Sequence, residues 1–293
     1  MTAAGSGTLG ILAGGGELPL RVARAARGAG RPVFAVVLGG WGNPAEWAGL
    51  PHAVERPGAA GRILSRLRAE GVRQLVLAGR ARRPSVAALR PDATGARIVA
   101  RIGAGFFLGD DGLLRAVARV LEEEGFEVVS PQSVLAGLLP PRGLLGRAAP
   151  DEAARADIRR GVAVCRALGA ADVGQAVVVQ QGLVLGVEAI EGTDALLARC
   201  GPLRREGGGG VLVKLAKPGQ DRRLDLPAIG PETVRNAAAA GLAGVAFEAG
   251  GAILLDRERT VEAADAAGLF LLALAPDETA TEEKERWAAS CTP

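Results

Sequence analysis

Apolar residues fall in short blocks along the first 130 positions, and their spacing predicts alternating strands and helices. Thr8-Leu-Gly-Ile-Leu-Ala13 is strand-sized and ends at Gly14-Gly15-Gly16, after which Glu17 to Ala29 carries its apolar residues at helical intervals. Val33 to Leu38 reads as a second buried strand, Ala59 to Glu70 as an amphipathic helix and Val72 to Ala78 as a third strand. A helical region follows from about Ser85 to Ile102, then a helix opened by Gly109-Asp110-Asp111-Gly112 and running through Glu124, then a short strand from Phe126 to Val129. This alternation predicts an open parallel sheet of Rossmann-like type, with ligands at the carboxyl ends of its strands.

The pattern changes after Pro131. Pro140-Pro141-Arg142-Gly143 breaks the chain, and the domain boundary is expected here, with residues 1–132 forming a substrate- or nucleotide-binding domain and 133–293 a catalytic mixed α/β domain. A helix from Asp151 to Leu168 leads to Ala176–Gln180 and Leu183–Glu188, which flank a Gln-Gly connection and read as a β-hairpin. A short helix ending near Cys200, a glycine-rich loop at Glu206–Gly210, a strand from Val211 to Ala216 and a helix from Pro231 to Ala240 come next. Strands at Val245–Glu248 and Ala252–Leu255, a helix at Arg257–Ala267, a strand at Leu269–Leu274 and a frayed tail after residue 276 complete the reading.

Composition narrows the chemistry. Hydrophobic residues make up 48% and charged residues 23%, ordinary globular values, while aromatics at 3% leave the cores to Ala, Val and Leu. The net charge of +3 and the scarcity of stacking side chains argue against a nucleic-acid partner. Cys165, Cys200 and Cys291 are odd in number and far apart, which fits packing residues in a reducing, cytoplasmic setting. His52 is the single histidine and sits in a linker, so neither a His-based zinc site nor a Ser-His-Asp triad is easily assembled. No signal-peptide start and no apolar run of about 18 residues is present, so membrane contact is expected to be peripheral and transient.

Several groups could carry chemistry, each beside a plainer role. Gly14, Gly15 and Gly16 could bring backbone N–H groups to a phosphate at a helix start, or simply form a tight turn. Pro19 stands where the dinucleotide fingerprint needs glycine or alanine, and no Walker lysine occurs, so a nicotinamide site and a P-loop are both unsupported. Arg80, Arg82 and Arg83 could pair with a diphosphate or be a solvated basic loop. Asp110 and Asp111 could cap a helix or face the ligand edge. Glu188, Glu191, Asp194, Asp221 and Asp225 lie in short, turn-rich segments and suit Mg²⁺ or Mn²⁺ better than a soft metal, although scattered surface carboxylates are common. Asp225 stands out between Leu224 and Leu226, just before Pro227, with Lys214, Lys217, Arg222 and Arg223 nearby to orient a diphosphate. Trp41 and Trp47 bracket Gly42-Asn43-Pro44 and read as loop anchors.

Five segments in order carry a resemblance that covers nearly the whole chain: Ile11–Pro19, Leu77–Pro84, Gly109–Arg115, Gly174–Gln180 with Val187–Asp194, and Lys217–Pro227. On these the chain resembles the metal-dependent UDP-2,3-diacylglucosamine hydrolases of lipid A biosynthesis, the type unrelated to the calcineurin-like hydrolases. The resemblance implies cleavage of the diphosphate to UMP and 2,3-diacylglucosamine 1-phosphate, with Mg²⁺ as cofactor and water attacking the β-phosphorus. It makes Asp225, the aspartate of Asp-Leu-Pro, the essential residue; from the acidic cluster Asp221, Glu188 and Asp194 are its further metal candidates. Gly14, Gly15, Gly16, Arg80, Asp110, Asp111, Thr193, Lys214 and Lys217 are the candidate substrate contacts. It also implies a two-domain homodimer holding the lipid product between its domains, on the cytoplasmic face of the inner membrane. Gly112 departs from the alanine often found in that segment, and the Glu206–Gly210 loop is unusually rich in glycine. A non-catalytic lipid-nucleotide binding or transfer protein is the alternative.

Overall fold

The computed structural model describes residues 7–81, 85–103, 110–135 and 137–275, in two compact units. The first comprises Met1–Ala136 with Asp221–Asp225, the second Gly137–Gln220 with Leu226–Pro293. The tail expected to fray after 276 lies outside the described residues.

In the first unit β1 (Thr8–Ala13), α1 (Leu18–Gly28), β2 (Val33–Leu38), β3 (His52–Glu55), α2 (Ala60–Ala69) and β4 (Val72–Ala78) alternate as the pattern predicts. After them come α3 (Val86–Leu89), α4 (Ala93–Ile102), α5 (Asp110–Glu123) and β5 (Glu127–Val128). The five strands are all parallel, in the order β3-β2-β1-β4-β5, with Ile11 opposite Ala35 on one side and Val76 on the other. Because both sheet faces are buried, the central strands are continuous apolar runs rather than alternating ones. Leu9, Ile11, Val22 and Ala26 pack with Trp47 on one face, while Val36, Leu67, Leu75, Leu121 and Phe126 pack on the other.

Two local readings change. The helical region expected from Ser85 to Ile102 is broken, because Pro91 disfavours helix at the residue before it. Arg90 turns left-handed at φ 44°, and Asp92 restarts the chain by capping α4, accepting from Gly95 N at 2.6 Å. The linker around His52 instead contains the edge strand β3, whose His-Ala-Val-Glu sequence has no apolar alternation to announce it.

The second unit contains β6 (Gly143–Leu144), α6 (Glu152–Ala170), β7 (Ala176–Gln180), β8 (Leu183–Val187), α7 (Gly192–Cys200), β9 (Val211–Lys214) and β10 (Ala228–Ile229). It continues through α8 (Pro231–Ala239), β11 (Gly244–Glu248), β12 (Ile253–Leu254), α9 (Arg257–Ala267) and β13 (Phe270–Leu274). Its main sheet is mixed, in the order β6-β13-β11-β9-β7-β8, with β9, β11 and β13 mutually parallel. β12 pairs with β10 in a separate two-stranded ladder. The predicted hairpin turns at Gln181 and Gly182, both with positive φ, and the buried Asp157 carboxylate of α6 accepts from their two amides at 2.9 and 2.7 Å. Helix α6 covers one face of the sheet and α7, α8 and α9 the other.

Candidate functional site

In the first unit the strand order reverses between β1 and β4, where open α/β sheets bind ligands at the carboxyl edge. The glycine loop is tied across this point. Gly14 N donates to Ala78 O at 2.8 Å, and Gly15 and Arg80 exchange backbone hydrogen bonds of 2.8 and 2.7 Å. A Cβ on Gly14 would lie 2.5 Å from Arg80 O, and Gly79 sits at φ +94° with its own Cβ position 2.8 Å from Gly15 O. These glycines therefore let two loops touch, and the amides of Gly14 and Gly15 are spent on the carbonyls of Ala78, the end of β4, and of Arg80 just past it rather than aimed at a phosphate. Gly16 remains at the opening of α1, with Arg80 Nε 3.7 Å from where its Cβ would stand. A guanidinium beside a helix start is favourable ground for an anion. Arg82, Arg83 and the side chain of Asp110 lie outside the described residues.

The other acidic candidates of this unit gather along α5. Asp111, Arg115 and Glu122 follow at helical spacing on one face. Asp111 is 6% exposed; its Oδ2 meets Arg115 at 2.9 Å, and its Oδ1 is buried with no hydrogen-bond partner among the described residues. Beside this face runs Asp221–Asp225, contributed from the second half of the sequence. Arg223 closes a fork on Asp221, Nε to Oδ1 at 3.1 Å and Nη2 to Oδ2 at 2.8 Å, while its Nη1 reaches Glu122 at 2.8 Å and Val128 O at 3.3 Å. The Arg223 guanidinium holds the Asp221 carboxyl below the usual carboxylate range, with a smaller contribution from Arg115. Charges thus alternate from Asp111 through Arg115, Asp221 and Arg223 to Glu122. Leu224 is buried with Val36, Leu67, Leu121 and Phe126, and Asp225 follows it half-buried.

The second unit brings three predicted residues together at the end of β9. Lys214 Nζ donates to Thr193 Oγ1 at 2.8 Å and to Ala228 O at 3.2 Å, and the Thr193 hydroxyl donates to Glu188 Oε1 at 2.5 Å. Glu188 also accepts from Gln175 N at 3.2 Å. Lys214 and Glu188 are each 6% exposed, so the hydroxyl relays between a buried cation and a buried anion. Lys217 is ion-paired to Asp172 at 2.6 Å, and Asp194 accepts from Asn236 at 2.9 Å.

Sequence reasoning missed Glu248. It ends β11, 3% exposed, and pairs at 3.4 Å with Arg166, which also donates to Ala216 O. A carboxylate closing an otherwise apolar parallel strand was the available signal. The packing role expected of Cys165 agrees with its chemistry: burial, aided by the Glu188 charge, pushes the thiol up to about 12.

Among the described residues no three His, Cys, Asp or Glu side chains converge, so a closed all-protein metal cage does not fit. Asp221 is forked by Arg223, Glu188 is engaged by Thr193 and Gln175, and Asp194 by Asn236. Mg²⁺ does not need such a cage, because it commonly binds one or two carboxylates together with water and substrate phosphates. Asp225 fits that arrangement by charge and by its half-buried position. No helix of the described residues is long and apolar enough to cross a membrane.

Comparison with known proteins gives matches over most of the chain. Residues 8–138 match the LpxI N-terminal domain and residues 141–272 the LpxI C-terminal domain. The chain is 42% identical over 276 residues to the UDP-2,3-diacylglucosamine pyrophosphatase LpxI of Caulobacter vibrioides, an alignment that covers 92% of this chain and 98% of that protein.

Proposed function

The chain belongs to the LpxI family, and from that membership we propose that it hydrolyses the diphosphate of UDP-2,3-diacylglucosamine, releasing UMP and 2,3-diacylglucosamine 1-phosphate for lipid A biosynthesis. The observation that carries this reading is the 42% identity with a pyrophosphatase over 92% of this chain and 98% of that protein. Asp225 is the proposed catalytic carboxylate, holding Mg²⁺ with water and phosphate oxygens completing the shell. The ion, when bound, would neutralise phosphate charge and lower the pKa of a water.

The remaining steps belong to the protein's own groups. Arg80, whose Nε lies near Gly16 at the opening of α1, is the group we assign to phosphate oxygens. Lys214 offers a cation whose direction is fixed by Thr193 and Ala228 O, so little reorganisation is needed when charge develops on a leaving phosphate. Water attack on the β-phosphorus would place solvent oxygen in the lipid product, so hydrolysis in ¹⁸O-water with mass spectrometry of both products reads that choice. Homodimerisation and transient contact with the inner membrane belong to the same proposal; sedimentation and vesicle flotation test them.

The deciding experiment incubates the protein with radiolabelled UDP-2,3-diacylglucosamine and Mg²⁺, with EDTA and Asp225→Ala as controls. UMP release that is lost in both controls is expected. Absence of UMP release by the wild-type protein would leave a binding or transfer role and end the hydrolase reading, while full activity in EDTA would remove the metal from it.

A further inference from the structure

The segment Asp221–Asp225 leaves the second unit after Gln220 and returns to it at Leu226, so five residues alone carry Asp225 into the first unit. Its own backbone does little to fix it: Leu224 N and Asp225 N both donate to Asp221 O, at 2.9 and 3.4 Å. Side-chain contacts anchor it to the first unit. Gln132 Nε2 donates to Arg222 O at 2.7 Å, Leu224 is buried in the apolar layer, and Arg223 is bound on both sides. Nε and Nη2 of Arg223 hold Asp221, and Nη1 holds Glu122 of α5 and the carbonyl of Val128 in β5, so four of its five N–H groups are spent on the protein. Arg223 N also donates to Asp221 Oδ1 at 3.0 Å, which closes the turn from the other end.

A guanidinium so occupied cannot orient a diphosphate, the role its charge suggested in the sequence. We propose instead that Arg223 is the positioning residue for Asp225: its fork on Asp221 shapes the turn, and its grip on Glu122 and Val128 fastens that turn to the first unit. Asp225 is two residues beyond Arg223, with Leu224 locked into the core between them, so the carboxylate inherits the register of the clamp. The proposal rests on the assignment of Asp225 made above. Misplacing a reacting group by about 1 Å costs on the order of a hundredfold in rate, whereas substrate affinity need not change. Lysine cannot replace the fork, because an ammonium is a point donor without the planar geometry that matches a carboxylate.

The test measures kcat and KM for UMP release by the full-length protein carrying Arg223→Ala, Arg223→Lys or Glu122→Ala. Arg223→Ala is expected to lower kcat by about ten- to a hundredfold with KM within about twofold of wild type. Arg223→Lys should fall between them, and added guanidinium at non-denaturing concentration should restore part of the kcat of Arg223→Ala alone. Glu122 is exposed and its carboxylate holds only Arg223 among the described residues, so Glu122→Ala should fold normally and still lose severalfold in kcat. If Arg223→Ala does not fold, the other two variants decide. Wild-type kcat in Glu122→Ala and Arg223→Lys overturns the proposal, as does a raised KM with intact kcat in Arg223→Ala, which would make Arg223 a substrate ligand. Failure of the wild-type protein to release UMP overturns the hydrolase reading instead, so the two failures are distinct.

Discussion

Replacing Thr193 by valine removes one oxygen and keeps the shape of the side chain, and the buried network makes its cost calculable. Thr193 accepts from Lys214 and donates to Glu188, so the variant strips one hydrogen bond from each of two charges that are 6% exposed. Lys214 retains Ala228 O and Glu188 retains Gln175 N. A hydrogen bond to a charged group contributes about 1.5–3 kcal/mol, so the pair is bounded at roughly 3–6 kcal/mol, and partial relaxation brings the expected loss to about 2–4 kcal/mol. For a protein of this size that is about 3–7 °C in the thermal midpoint. Urea and thermal unfolding followed by circular dichroism measure it, with Thr193→Ser as the control that keeps the hydroxyl and stays near wild type. Lys214→Met should cost more than the double variant Lys214→Met/Glu188→Gln, because only the single change leaves an uncompensated buried anion. A loss below about 0.5 kcal/mol in Thr193→Val would refute the reasoning, since neither charge would then depend on the hydroxyl.

Three further outcomes follow from particular groups. The Asp221 carboxyl is depressed in the folded state by Arg223, so its stabilisation is fully present above the ordinary carboxylate value of about 3.9 and is lost as pH falls through the lower folded value. Asp221→Asn should therefore be less stable than wild type at neutral pH and show a flatter loss below pH about 4; parallel acid-unfolding curves would exclude the linkage. Gly79→Ala combines a φ of +94° with a backbone contact at 2.8 Å, so a loss of at least about 1 kcal/mol is expected, and unchanged unfolding would contradict the bridge between the two loops. Cys165, with its thiol near 12, should resist alkylation at pH 8 in the folded protein and react in urea; peptide mass spectrometry that finds it modified without denaturant would refute the burial.

The fold was legible where one physical signal dominated. Continuous apolar strands punctuated by glycine announced the parallel sheet, and the Gln181-Gly182 step announced the hairpin, because buried strands and two-residue turns each demand particular residues locally. Strand β3 was missed because an edge strand needs no apolar face, and the break at Arg90 because the effect of Pro91 was absorbed into a longer helical reading. The site was legible by residue type but not by partnership. Thr193, Lys214 and Glu188 were singled out separately, yet only folding joins the end of β8, the start of α7 and the end of β9. Asp221 and Arg223 were both named, as ligand and as phosphate clamp, although two residues of opposite charge two positions apart in a turn satisfy each other first. Nothing in the composition of 221–225 marks it as belonging with the first half of the chain, because its membership is decided by one leucine entering an apolar layer and one arginine meeting α5.

That borrowed segment also bears on the order of events during synthesis. The first unit has its whole sheet once residue 128 has been made, but the place of Leu224 in its apolar layer and the partner of Glu122 arrive only with the last quarter of the chain. At ordinary elongation rates of about 5–20 residues per second, the nascent first unit waits on the order of ten seconds with that patch uncovered. An N-terminal half that has already folded is thus still incomplete, and the carboxylate proposed for catalysis joins it only when that gap is filled.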